Sequence, residues 1–173
     1  MTEVERLKFL ELLDMAPDGL RIEFGVFRGD TLALMTGHLE RTIGVDSFEG
    51  MPTPGPCDFT PDGESPYPKG RLRSNMDAVR SAAPRAHLVK GFIPQLFDWF
   101  DPAVIAFAHV DLDHYEPTRA TLDWLFPRMK TGGVIVCDDW FPDRDYLAAK
   151  AINEFAEEVS GMKTCGRKAW WVL

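Results

Sequence analysis

A chain of 173 residues that is 45% hydrophobic and 27% charged has the length and composition of one soluble globular domain, which excludes disorder and fibrous repeats. Its 19 Lys and Arg stand against 27 Asp and Glu, a net charge of -8. That balance excludes binding that depends on neutralising phosphates, so neither nucleic acid nor an anionic membrane surface is an expected partner.

In chain order, Val4, Leu7, Leu10, Leu13 and Met15 recur near helical spacing, and Pro17-Asp18-Gly19 stops that helix. Residues 20–24 alternate as a short strand and run into Gly25-Val-Phe-Arg-Gly29. Asp30 or Thr31 is placed to cap a helix over 32–39, and 42–46 is a second strand ending on an acid. Segment 51–70 carries six prolines with Gly55, Gly63 and Gly70. A loop this long inside a compact domain is expected to be a lid or binding loop. Too few residues precede it for it to be a linker between domains.

Helical spacing resumes at Leu72, Met76 and Val79; 87–90 is a third strand and 93–100 a short apolar helix. Residues 104–110 are apolar nearly throughout, as in a strand buried on both faces, and end in Asp111-Leu112-Asp113. Tyr115, Leu122, Leu125, Phe126 and Met129 define a helix face that Gly132-Gly133 ends. Residues 134–137 form an apolar strand ending in Asp138-Asp139. Leu147, Ala151, Ile152, Phe155 and Val159 make a last helix, and 162–172 reads as a hairpin about Gly166-Arg167. Strands alternating with helices specify a single α/β domain over 1–173, with a parallel sheet covered on both faces. Cys57, Cys137 and Cys165 form no metal or redox motif and no disulfide framework. The N-terminus lacks a signal-peptide pattern, and no apolar run reaches the roughly 18 residues of a membrane span. Free thiols and a cytoplasmic location are expected.

Ligands of open parallel sheets bind beyond the carboxyl ends of the strands. There this sequence places Glu23 and Gly25, then Asp46, then Asp111 and Asp113, then Asp138 and Asp139. Glycine where a strand turns into a helix lets backbone approach a ligand, and an acid about 20 residues later commonly holds ribose hydroxyls, a spacing that Gly25 and Asp46 meet. The glycines follow Gly-x-x-x-Gly, so the pyrophosphate fingerprint is incomplete and a cofactor without phosphates is favoured; a tight turn of any α/β protein is the plain alternative. Asp111, Asp138 and Asp139 converge at one sheet edge and repel unless a cation sits among them, and no Lys or Arg stands beside them in the sequence. Oxygen-only ligation points to a hard ion, Mg²⁺ first. His109 and His114 flank the site, His109 being expected to face a helix. Asp113-His-Tyr-Glu116 reads as a capping box, with Asp113 at N-cap and Glu116 at N3, beside a chemical role for Asp113.

Glu23-Phe-Gly-Val-Phe-Arg-Gly29, Val45-Asp-Ser-Phe-Glu-Gly-Met-Pro52, Val110-Asp-Leu-Asp-His-Tyr-Glu-Pro-Thr118 and Gly132-Gly-Val-Ile-Val-Cys-Asp-Asp139 occur in order. Together they resemble the macrocin-type O-methyltransferases, metal-dependent sugar methylases of antibiotic biosynthesis. The resemblance implies a Rossmann-like class I S-adenosylmethionine-dependent fold, with a mostly parallel seven-stranded sheet whose last strand is antiparallel. It implies that Glu23 and Gly25, with Gly29, line the methionine end of S-adenosylmethionine. Asp46 and Ser47 would hold the ribose, and Gly91 and Phe92 would lie near the adenine. Asp111, counted with the cofactor contacts too, would ligate Mg²⁺ with Asp138 and Asp139, and Asp113 would be the general base. The partner implied is a small hydroxylated acceptor, and a homodimer is compatible with the family.

The activity expected is Mg²⁺-dependent methylation of a hydroxyl on a sugar or glycosylated small molecule. Mg²⁺ acidifies and holds the hydroxyl, Asp113 accepts its proton, and closure of 51–70 excludes water. A methylase of catechols or other phenols shares the acids and differs in the pocket, where Trp99, Trp140 and Phe141 are candidate aromatic walls. A non-catalytic nucleotide- or sugar-binding module leaves the converging acids unexplained. A nicotinamide oxidoreductase is disfavoured by the glycine motif.

Overall fold

The computed structural model describes residues 1–36, 41–101 and 104–173. Its centre is a seven-stranded sheet of β1 (Leu20–Phe24), β2 (Thr42–Asp46), β3 (His87–Lys90), β4 (Ile105–Val110), β5 (Met129–Cys137), β6 (Lys163–Cys165) and β7 (Lys168–Val172), in the order β3-β2-β1-β4-β5-β7-β6. The first five strands are parallel, and β7 and β6 extend the β5 edge as an antiparallel hairpin. Helices α1 (Glu3–Met15), α2 (Asp30–Met35), α3 (Met76–Ala82), α4 (Tyr115–Leu125) and α5 (Leu147–Glu158) complete the domain. This is the α/β architecture that the alternation of apolar runs specifies.

β4 is buried at all six positions, because it pairs on both edges and is covered on both faces. The pleat sends Phe107, with Val134, Val136 and Trp170 of the neighbouring strands, against Phe9, Leu12 and Leu13 of α1. Ala108, Val110, Ile135 and Trp171 face the other way, onto Leu122 of α4 and Ile152 and Phe155 of α5. Each fully buried large apolar side chain contributes about 1.5–3 kcal/mol relative to exposure, so packing against the sheet is what holds the helices.

Several local features differ from the sequence pattern. Val4, Leu7 and Met15 of α1 are exposed, and the buried positions are Glu5, Phe9, Leu12 and Leu13. A strict step of three residues falls about 60° short of a full turn each time, so 4, 7, 10 and 13 spiral around the helix instead of sharing a face. Helix α2 starts on Gly29 with no side-chain cap in place of Asp30 or Thr31, and ends at Met35; the rest of the expected 32–39 helix after Thr36 lies outside the described residues. Leu72 precedes α3, which Asn75 caps through the Asp77 and Ala78 N–H groups. The 93–100 helix reduces to a 3₁₀ turn over Gln95–Asp98. Pro127 in the short 3₁₀ turn Phe126–Arg128 accompanies the end of α4, and Met129 already belongs to β5. Gly132, at φ +77°, lies inside that strand at a bulge, not at the helix end.

No helix among the described residues is long and apolar enough to cross a membrane. Segment 51–70 has no helix or strand but is fastened along its length. The Met51 N–H donates to the Arg71 carbonyl at 2.8 Å, the Gly70 N–H to the Met51 carbonyl at 2.9 Å, and the Leu147 N–H to the Cys57 carbonyl at 2.7 Å. Asp58 Oδ1 accepts the Tyr115 backbone N–H at 2.7 Å. The N-cap of α4 is His114, without a side-chain cap bond of its own, so the capping box expected from Asp113 to Glu116 does not form. Asp113 has φ +58°, a left-handed backbone in which its side chain turns away from the helix end, and the cap comes from the distant loop instead.

Candidate active site

The carboxyl ends of β1, β2, β4 and β5 open onto a cavity of about 300 Å³. Gly25, Asp46, Ser47, Gly91 and Phe92 line one part; Asp111, Asp113, Asp138 and Asp139 line another. Six residues other than glycine have positive φ among those described, and four of them, Phe27, Leu72, Asp113 and Asp139, line this cavity. Left-handed backbone costs about 1–3 kcal/mol per residue and collects where surrounding structure fixes a functional geometry.

Gly25 is required by the fold itself. Its φ is +87°, and a Cβ there would overlap the Asp111 carbonyl, because the chains leaving the paired ends of β1 and β4 run side by side at this point. Gly29, at the start of α2, sits against Val79 and does not line the cavity. The Asp46 carboxylate is engaged by backbone: Oδ2 accepts the N–H groups of Val26 and Phe27 at 2.9 Å each, and Oδ1 accepts that of Phe48 at 2.7 Å. Ser47 Oγ donates to the Gly50 carbonyl at 3.0 Å and accepts from the Glu49 N–H at 3.1 Å. The Gly91 N–H donates to the Asp46 carbonyl at 3.0 Å, which ties the β3 end to the β2 end.

Glu23 does not reach the cavity. It is buried on the α1 side of the sheet, where its Oε1 lies 2.9 Å from His109 Nδ1 and Phe9 packs edge-on against the imidazole. Burial, with the negative charges of Asp111 and Asp46, pushes the Glu23 carboxyl well above its ordinary value. Burial pushes His109 down to about 3. His114 is also buried; its Nε2 donates to the Tyr67 carbonyl at 2.9 Å, and its Nδ1 lies 3.6 Å from Asp58.

The acids converge in two overlapping groups. Carboxylate oxygens of Asp111, Asp113 and Asp139 lie within 4.8 Å of one another, and so do those of Asp111 and Asp138 with a ring nitrogen of His109. The trio Asp111, Asp138 and Asp139 named from the sequence is thus divided between the two, with Asp111 common to both. Burial, then the charges of Asp138 and Asp113, raise the Asp111 carboxyl well above its ordinary value. Burial also raises Asp113, against a lowering hydrogen bond from Tyr67. Burial alone would raise Asp138 as well, but the Lys168 ammonium, with His109 and Arg167, outweighs it and holds the group below its ordinary value.

Cations are present, contrary to the pattern read along the chain. Lys168 Nζ donates to Asp138 Oδ2 at 2.7 Å with its side chain 1% exposed, and Arg167 forms an ion pair with Asp139. Both come from the β6–β7 hairpin, which folds back beside β5 and brings distant residues to the acids. Alternation in β7 was the available signal for Lys168, since it shares the core face of Trp170. Tyr67 was passed over for want of a regular element around it. It lines the cavity, and burial and the adjacent Asp113 push its phenol up to about 12. Trp99, Trp140 and Phe141, the aromatic candidates, do not line the cavity.

The sequence model of the macrocin-O-methyltransferase (TylF) family matches residues 11–164. The 8-demethyl-8-(2,3-dimethoxy-alpha-L-rhamnosyl)-tetracenomycin-C 4'-O-methyltransferase of Streptomyces olivaceus is 30% identical over 172 residues, covering 87% of this chain and 66% of that protein. The demethyldecarbamoylnovobiocin O-methyltransferase of Streptomyces niveus is 30% identical over 135 residues, covering 69% of this chain and 52% of the relative. The chain therefore spans between half and two thirds of these relatives. The solved structure of the O-methyltransferase NovP superposes with a TM-score of 0.77 at 22% identity, over 97% of this chain and 79% of that one. More distant solved methyltransferases of the same fold, at 14% and 15% identity, hold S-adenosylhomocysteine or S-adenosylmethionine.

Proposed function

Because the chain belongs to the macrocin-O-methyltransferase (TylF) family, we propose that it transfers a methyl group from S-adenosylmethionine to a hydroxyl of a sugar or glycosylated small molecule. The observation that carries this reading is a single cavity with two chemically distinct parts. One is a glycine- and backbone-rich wall built on Gly25, Asp46 and Gly91; the other is a floor of four carboxylates. The wall suits a cofactor without phosphates, and Asp46 is the acid available to its ribose through the acceptor capacity left beyond three backbone N–H bonds. S-adenosylmethionine supplies the electrophilic methyl group.

The floor fits a divalent cation on its own chemistry. Lys168 and Arg167 offset two of the four carboxylates, and Asp111 is held above its ordinary range by burial first and then by its neighbours' charge. Asp111 and Asp139 are the residues that would hold the ion, with Asp138 behind them and Arg167 withdrawing from Asp139. Bound there, Mg²⁺ would supply Lewis acidity toward the acceptor hydroxyl. Asp113 is placed to accept, at a carboxylate oxygen, the proton the hydroxyl loses. The left-handed backbone of Asp113 and Asp139 holds both carboxylates to this floor. Segment 51–70 contributes Met51, Pro52 and Tyr67 to the cavity wall, where it would help to keep water from the reacting groups.

Incubation with S-adenosylmethionine, Mg²⁺ and a panel of free sugars, glycosides and catechols tests the reading by mass spectrometry. A glycoside or sugar gaining one methyl group, with S-adenosylhomocysteine formed, is expected. Methylation of catechols alone would transfer the chain to the phenol methylases. A protein that binds S-adenosylhomocysteine but methylates nothing in the panel would count for a binding module.

A further inference from the structure

Beyond the acids, one phenol stands in the cavity wall. We propose that Tyr67 is a positioning residue that orients the Asp113 carboxylate, and that it does so through the seating of segment 51–70 on α4. The inference rests on the reading of Asp113 as proton acceptor.

Three observations meet at Tyr67. It lines the cavity together with Asp113, whose negative charge lies near enough to hold the proton on the phenol. Its own carbonyl accepts from His114 Nε2 at 2.9 Å, and its ring meets the imidazole edge-on, with centroids 6.3 Å apart and planes at 71°. Asp113 and His114 are consecutive, so the tyrosine is held, by its carbonyl and its ring, against the residue that directly follows the acid. Pro66 and Pro68 flank it. Proline fixes its own φ and drives the residue before it into extended backbone, so the chain around Tyr67 has few unfolded alternatives to give up.

A phenol donor engages one oxygen of a carboxylate and stops rotation of the group. The second oxygen is left directed at the cavity, where the acceptor hydroxyl must lie. Asp113 has an imposed backbone, with φ +58° and its carbonyl accepting the Ala148 N–H at 2.8 Å. The carboxylate torsion is the freedom that remains, and the loop supplies the group that removes it. Base orientation and loop seating thus become one event.

A double-mutant cycle tests this, with rate measured at saturating S-adenosylmethionine and with S-adenosylhomocysteine affinity measured separately. Tyr67→Phe is expected to lower kcat roughly 10-fold while KM and S-adenosylhomocysteine affinity stay within about twofold, and to have no further effect once Asp113→Asn is present. Equal slowing by Tyr67→Phe in both backgrounds, or no slowing beside native Asp113, overturns the proposal. If Asp113→Asn alone leaves the rate unchanged, it is the general-base reading that falls. Amide hydrogen exchange of 51–70 needs no acceptor and judges the contact by itself. Tyr67→Phe and Asp113→Ala should each speed exchange, and the pair should do no more than either. Additive effects, or no effect of Tyr67→Phe, overturn the coupling of phenol, acid and loop.

Discussion

Asp58 and Tyr115 stand 57 positions apart and are joined by a 2.7 Å hydrogen bond from the Tyr115 backbone N–H to Asp58 Oδ1. The helix that follows the acid motif is therefore capped from within the proline-rich segment. A carboxylate there satisfies a helix-end donor and complements the helix dipole. The other Asp58 oxygen accepts the Gly55 N–H at 2.8 Å, so the same side chain also folds the loop that carries it.

Asp58→Ala should cost about 2 kcal/mol, because a cap is lost and two partly buried N–H groups lose their acceptor. Asp58→Asn, which keeps an acceptor oxygen, should cost less than half as much. Denaturant unfolding measures both, and an unchanged midpoint in Asp58→Ala would show that loop and helix are energetically independent.

Asp46→Ala is a stability mutant before it is a binding mutant. Three backbone N–H groups, of Val26, Phe27 and Phe48, lose their acceptor, at about 1 kcal/mol or more each. Calorimetry with S-adenosylhomocysteine at a temperature where the variant is folded should still find affinity reduced at least 10-fold. Native affinity in a destabilised variant would confine Asp46 to tying β2 to the β1–α2 turn.

The pH dependence of stability follows from the buried acids. Glu23, Asp111 and Asp113 have folded-state values above their ordinary 4.5, 3.8 and 3.8. Above those ordinary values the folded protein binds more protons than the unfolded chain, so stability falls as pH rises through the window up to the raised values. Asp138, lowered by Lys168, contributes in the opposite sense, and that part is lost only below its ordinary 3.8. His109, pushed down to about 3 from its ordinary 6.5, also works in the opposite sense, and its part is lost as pH falls below 6.5. The metal-free protein should therefore melt higher near about pH 6.5 than near about pH 8. A divalent cation replaces those protons, so Mg²⁺ should raise Tm more at the higher pH. Calorimetric scans with and without Mg²⁺ check this, and a Tm indifferent to Mg²⁺ at both pH values would remove the ion from the floor.

Asp113→Asn should fold normally, since asparagine tolerates the left-handed backbone that φ +58° requires. Methyl transfer should slow by about 10²–10⁴-fold, the usual contribution of a positioned base. Asp113→Ala adds roughly 1 kcal/mol of backbone cost to the same loss of rate. Rates of Asp113→Asn near those of the native protein would leave Asp113 as a structural residue.

The sheet was legible because fully buried parallel strands are apolar runs, and the ends of those runs located Asp46, Asp111, Asp113, Asp138 and Asp139 on one cavity. Glu23 was misplaced because a position at a strand end does not say which face the side chain takes; the pleat puts it beside His109, under the sheet. Lys168 and Arg167 were invisible as counter-ions because their nearness to Asp138 and Asp139 arises from hairpin pairing, which local sequence does not express. The cap of α4 misled for the same reason: Asp113 has the right spacing, and a loop residue with none supplies the bond.

The fastening of segment 51–70 also bears on how a substrate gets in. Swinging the whole segment aside would uncap α4 and break the Cys57–Leu147 and Tyr67–His114 hydrogen bonds together. The cheap motion lies at its tip, where Asp62, Gly63 and Glu64 are exposed and the turn is closed by the Thr60 N–H on the Glu64 carbonyl and the Gly63 N–H on the Thr60 carbonyl, at 2.8 Å each. Met51, Pro52 and Tyr67, the residues of the segment that line the cavity, belong to its fastened part, so an acceptor meets a wall that keeps its shape while the tip moves.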